Sequence, residues 1–118
     1  MKRTKKESML LTEFFIEQMD NANFCENCGL HIYNPSGKNV AHILPKRIFK
    51  SVATNDRNVL YLCSTFDRSD GKTGCHEQYD SSWSKARTLP VFKLATERLG
   101  EFRDQVKEKS KILYYFDE

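Results

Sequence analysis

Four cysteines, Cys25, Cys28, Cys63 and Cys75, stand in a chain of only 118 residues, and they restrict its folding more than any other feature. A chain this short builds a modest core and gains from a covalent or metal staple. Paired as disulfides, four cysteines suit a secreted domain. The first residues, Met1 to Lys6, are basic but run straight into a helical pattern, without the apolar stretch and small-residue cleavage site of a secretory signal. The cytoplasm is therefore the expected compartment. In that reducing setting a Cys-x-x-Cys pair with two distant cysteines reads better as a set of zinc ligands. Two thiolates at that spacing reach one tetrahedral ion from a tight turn, and Gly29, directly after Cys28, relieves the backbone there.

Hydrophobic residues make up 39% of the chain and charged ones 30%, the balance of a globular domain. No apolar run nears the roughly 20 residues that cross a bilayer, so no membrane partner is expected. A net charge of +3 is too small to imply nucleic acid by itself, but its distribution says more. Between Glu26 and Asp56 there is no acidic residue, while Lys38, Lys46, Arg47 and Lys50 fall in that interval. A segment of one sign attracts phosphate. With Arg87 further on, these are the candidate nucleic-acid contacts; taken singly, each reads equally well as an ordinary solvated charge.

Taken in order, the chain reads as one domain, residues 1–118. Leu10, Leu11, Phe14, Phe15 and Met19 recur at helical spacing, which predicts an amphipathic helix over about 8–20 with Ser8 as N-cap. From Ile32 to Leu44 the pattern is strand, turn, strand, the turn carried by Asn34-Pro35-Ser36-Gly37. Val59 to Leu62 is a short apolar run, a brief strand or an extended buried segment. Ser64 to Gly74 is a loop by composition. A helix is predicted from His76 to about Arg87, with Tyr79, Trp83 and Ala86 on its apolar stripe. A last helix covers about 90–110, opened by Pro90 and seamed by Phe92, Ala95, Leu99, Phe102 and Val106. That seam is expected to pack on the first helix or on a second copy of the chain.

Chemistry concentrates in Val40-Ala41-His42-Ile43-Leu44-Pro45-Lys46, where Pro45 stops a strand and leaves His42 near its tip. Downstream, His76 and Asp80 are four apart on a predicted helix, so one face can present an imidazole nitrogen and a carboxylate to a single divalent ion. Such a pair arises by chance in many helices, and a surface hydrogen bond is its plain alternative. Cys75 directly before His76 raises its interest, because a metal ligand there fixes the start of the helix. His31, three residues after Cys28, reads as a surface histidine, since four cysteines already complete a ligand set.

His42, Asn58 and His76, framed by Cys25, Cys28, Cys63 and Cys75, resemble the signature of the HNH endonuclease family over about residues 25–87. The resemblance implies an α+β fold: a ββα-metal core, β-hairpin plus helix, stapled by structural zinc and flanked by an N-terminal and a long C-terminal helix. It implies a metal-dependent DNA endonuclease. His42 is then the general base, and Asn58 holds the connecting loop so that His42 is aimed. His76, with Asp80, binds a catalytic divalent ion such as Mg²⁺, Mn²⁺ or Ni²⁺, which stabilises the transition state at phosphorus and the leaving oxygen. Two departures stand out. Eleven residues separate Cys63 from Cys75 where the family usually has two, and the insertion carries Arg68 and Lys72. Ala41 replaces the aspartate or histidine that in many relatives supplies a further metal ligand, so an Ala41→Asp change is expected to tighten metal binding. Rival readings are a zinc-stapled module that binds nucleic acid without cutting it, and an interaction subunit that recruits a partner through the C-terminal seam.

Overall fold

The computed structural model describes residues 4–112, and its architecture is α+β. Helix α1 spans Lys5–Met19. It starts one turn earlier than the apolar spacing predicts, because Thr4-Lys5-Lys6-Glu7 is a capping box: the Thr4 hydroxyl accepts from the Glu7 N–H at 3.0 Å, and Glu7 accepts from the Thr4 N–H at 2.8 Å. Ser8 is thus inside the helix, not its cap.

Strands β1 (Val40–His42) and β2 (Val59–Tyr61) form a two-stranded antiparallel sheet with Val40 opposite Tyr61 and His42 opposite Val59. The expected strand–turn–strand over 32–44 is not what forms. Asn34 to Gly37 does turn the chain, but Ser36 caps a single 3₁₀ turn, Gly37–Asn39, that delivers the backbone into β1. β1 then finds its partner across the loop that follows it. Outside the sheet, residues Phe24 and His31 make an isolated bridge.

After the sheet come α2 (Cys75–Ser81) and α3 (Trp83–Ala86) in place of the single helix expected over 76–87. Ser82 is fully extended, with φ −166° and ψ 159°, and its hydroxyl accepts from the Lys85 N–H, so one residue ends α2 and caps α3. Helix α4 runs Phe92–Phe102. A 3₁₀ turn and an extended Val106 break the predicted long helix before the short α5, Lys109–Ile112.

The core lies between β1–β2 and the helices α2 and α4, and joins Ala41, Leu60, Leu62, Tyr79, Ala95, Leu99, Phe102 and Val106. Four residues of the C-terminal seam, Ala95, Leu99, Phe102 and Val106, are therefore buried in the chain's own interior, and Phe92 is half-buried. A smaller cluster seats α1, through Leu11 and Phe14, on Val40 and Val59. Strand alternation separates the two faces, and this decides the fate of Ala41. It is 0% exposed in the main core and points away from the face that carries His42. Ala41→Asp is thus expected to bury an unpaired carboxylate and lower the denaturation midpoint sharply, not to tighten a metal. Urea titration of the two chains, with Mn²⁺ calorimetry alongside, checks this; an unchanged midpoint with tighter Mn²⁺ binding restores the earlier expectation.

No helix among the described residues is long and apolar enough to cross a membrane.

Candidate metal centre and active site

The thiol groups of Cys25, Cys28, Cys63 and Cys75 converge so that all four sulfurs lie within 4.8 Å of one another, and none is in a disulfide. The cluster could hold a metal ion. Its donor set fits one: a tetrahedron with metal–sulfur bonds of about 2.3 Å has edges of about 3.8 Å, and Cys28 Sγ to Cys63 Sγ is 3.8 Å. The protonation states point the same way. Burial pushes the Cys63 and Cys75 thiols up. Burial acts upward on Cys28 as well, but the backbone at Leu30, the neighbouring thiols and Arg68 outweigh it and leave Cys28 lowered to about 7. Four sulfurs this close cannot all shed protons without a cation among them.

Two close approaches assemble the cluster. Gly29, at φ 81°, occupies the left-handed region that lets the Cys25–Cys28 turn close, and its N–H reaches the Cys25 carbonyl at 2.9 Å. Gly74 packs so tightly on the backbone after Cys63 that a Cβ there would lie 2.3 Å from the Ser64 carbonyl carbon. This contact closes the eleven-residue insertion, so that the His76 N–H donates to the Cys63 carbonyl at 2.9 Å. The insertion is not a free loop. Asp67 accepts from the Ser64 N–H at 2.7 Å and from Asn39 Nδ2 at 2.6 Å. Arg68, carried by the insertion, pairs with Asp70 at 2.7 Å and reaches Cys28 and Cys63 at 3.5 and 3.6 Å. Asn27 completes the surround, donating to Cys75 Sγ at 3.3 Å while accepting from the Val91 N–H at 2.9 Å. His31 takes no part; it is exposed between the rings of Phe24 and Tyr33.

His42, His76 and Asp80 line one cleft, together with Lys38, Lys46 and Arg47. Lys50 and Arg87 lie outside its lining. His42 is 9% exposed, with the rings of Phe14 and Phe15 at 5.8 and 5.6 Å between centroids. Its Nε2 is 2.7 Å from the Ala53 carbonyl. A carbonyl only accepts, so Nε2 carries the hydrogen and the neutral ring keeps a lone pair on Nδ1. Burial foremost, helped by the charge of Lys46, lowers the His42 pKa to about 4.

Asn58 is fully buried and clamps the connection from β1 to β2. Its Oδ1 accepts from the Leu44 N–H at 2.8 Å, and its Nδ2 donates to the carbonyls of Leu44 and Val52 at 3.2 and 3.1 Å. The Val52 carbonyl adjoins Ala53, the residue that fixes the His42 ring. Asn58→Ala removes the partner of the buried Leu44 N–H and carbonyl, at about 1–3 kcal/mol each, while the Val52 carbonyl keeps the Asn55 N–H at 3.1 Å. The expected outcome is a fall in stability on the order of 3 kcal/mol, read by urea titration; a change below about 0.5 kcal/mol, the scatter of surface substitutions, contradicts the clamp.

His76 sits in the first turn of α2. Its Nδ1 donates to the Lys38 carbonyl, and its Nε2 is 3.0 Å from Asp80 Oδ2. Burial pulls the His76 pKa down, but Asp80 and the Lys38 carbonyl outweigh it and the net shift is upward. A histidine whose second nitrogen is tied to a carbonyl has the arrangement of a metal ligand. The 3.0 Å separation fits as well: adjacent ligands around an octahedral ion with bonds of about 2.1 Å stand about 3.0 Å apart. His76 and Asp80 could therefore hold a divalent ion in place of the shared proton. Sequence reasoning missed Asn27 and Asn39, because each acts through partners far along the chain and neither carries a local signature; Phe15 and Trp83 it read only as apolar positions of their helices.

No family model, no curated protein and no solved structure matches this chain.

Proposed function

We propose that this chain is a metal-dependent DNA endonuclease of the HNH type, a ββα-metal fold with Cys25, Cys28, Cys63 and Cys75 around a structural zinc. The reading rests above all on one observation: His42 has Nε2 fixed on the Ala53 carbonyl, leaving Nδ1 available in a cleft that also presents the His76–Asp80 pair. A structural module has no use for a neutral, aimed imidazole beside a chelating pair.

In this reading His42 Nδ1 takes the proton of a water attacking the phosphorus of a phosphodiester. The ring is neutral at physiological pH, so no prior deprotonation is needed. Asn58 and the Ala53 carbonyl keep the ring from rotating as the proton arrives. Lys38, Lys46 and Arg47 attract and orient the phosphate backbone. His76 and Asp80 would hold a divalent ion, whose positive charge would stabilise the phosphate and the departing oxygen. The test is supercoiled plasmid incubated with the zinc-loaded chain and Mg²⁺, Mn²⁺ or Ni²⁺, or with none. Nicked circles that require the added ion, and a higher ion requirement in His76→Ala, are expected. Absence of cleavage with every ion, together with salt-sensitive DNA binding, identifies a binding module instead.

A further inference from the structure

The cleft beside His42 and His76 is lined by both apolar and cationic side chains. Its volume is about 700 Å³, within the range of about 300–1,000 Å³ typical of sites that enclose a small molecule. Phe15 from α1, Ile48 from the β1 connection and Trp83 from α3 line it with apolar surface. Lys38, Lys46 and Arg47 are the cations of the lining, and Asp80 is its one acidic residue. The two parts are linked: Lys46 Nζ lies 4.7 Å from the centre of the Phe15 ring, so an ammonium is held against an aromatic wall. Trp83 is half-buried and braced edge-on by Phe92 at 5.3 Å, which keeps its indole in place.

A duplex backbone offers a protein phosphates and sugars, with the base faces hidden in the stack, and surfaces that grip it are polar and cationic throughout. Aromatic walls next to a phosphate site match something else, a base whose face is exposed. We infer that this cleft takes an unpaired base, so that the substrate class is single-stranded or locally unpaired DNA with the base against Phe15 and Trp83 and its phosphate toward His42, His76 and Asp80. The inference rests on the nuclease reading for the role of that phosphate. The apolar and cationic residues of the lining together define the occupant by chemistry: a flat aromatic group joined to an anion.

Trp83 is the sole tryptophan of the chain, so its emission reports this wall alone. Zinc-loaded His42→Ala chain with Mn²⁺, which binds without turnover, is titrated with three probes: a short DNA strand, the same strand annealed to its complement, and a wholly abasic strand of equal length. The strand should quench Trp83 and bind at least about tenfold tighter than the duplex or the abasic strand, the weight of one stacked base. Trp83→Leu should lose that preference and Trp83→Phe should keep most of it, with circular dichroism showing both folded. Equal affinity for all three probes with unchanged Trp83 emission overturns the inference. Parent chain that still cuts DNA under that outcome keeps the nuclease reading. Quenching by the strand in a parent that cuts nothing with any ion supports the base pocket and overturns the nuclease reading.

Discussion

Cys63→Ser is expected to unfold the chain at ordinary temperature. Structural zinc sites built from cysteines contribute on the order of 10 kcal/mol to folding in small peptides, and whole domains of this size are stable by only about 5–15 kcal/mol. Cys63 is the buried centre of the cluster. Its sulfur lies 3.8 Å from Cys28 Sγ and accepts from the Cys75 N–H at 3.5 Å, and its carbonyl accepts the His76 N–H. Losing it frees the insertion and the start of α2 together, and with them the His76–Asp80 pair. Removing the metal with a strong chelator should act in the same direction. Elemental analysis should find one zinc per parent chain and none in Cys63→Ser, with loss of the cooperative thermal transition. A zinc-free parent that melts at the same temperature before and after chelation contradicts the account.

The second large effect belongs to His42. His42→Ala should lose roughly 10²- to 10⁴-fold in cleavage rate, the usual weight of a positioned general base. The fold should survive, because the ring's one hydrogen bond, to Ala53, is worth about 1–3 kcal/mol at most. The pH dependence follows from the same burial. With its pKa lowered to about 4 from 6.5, His42 stays neutral down to mildly acid pH. The rate should therefore show no acid limb centred near 6.5, the signature of an ordinary exposed imidazole. For stability the sign is equally defined. Between pH 6.5 and about 4 the unfolded chain binds a proton that folded His42 refuses. The contribution is complete above that window and is lost as pH falls through it.

Sequence spacing located the cysteine cluster because a Cys-x-x-Cys turn with Gly29 is a local arrangement, and only the ends of the long insertion had to meet. The tip position of His42 was equally local, set by β-branched residues and Pro45. The contacts that make these residues work were not legible. Nothing in the composition of residues 64–74 says that Asp67 reaches Asn39, or that Arg68 turns back onto the sulfurs of Cys28 and Cys63. The Lys38 carbonyl that orients His76 lies 38 residues away and is a backbone atom, invisible to any pattern of side chains. Helix boundaries failed for a related reason. Thr4 and Ser82 cap helices through single hydroxyls, and the apolar periodicity used to place the helices does not register them. The family resemblance put Ala41 beside a metal by analogy of position, whereas the pleat of β1 turns it into the core.

The account stands most directly on single-turnover nicking of supercoiled plasmid at saturating Mn²⁺ by the parent chain and by His42→Ala, both zinc-loaded and both shown folded by circular dichroism. The predicted result is metal-dependent nicking by the parent and a rate at least about 10²-fold lower in the variant. Equal rates in the two chains, or no nicking by the parent, would contradict it.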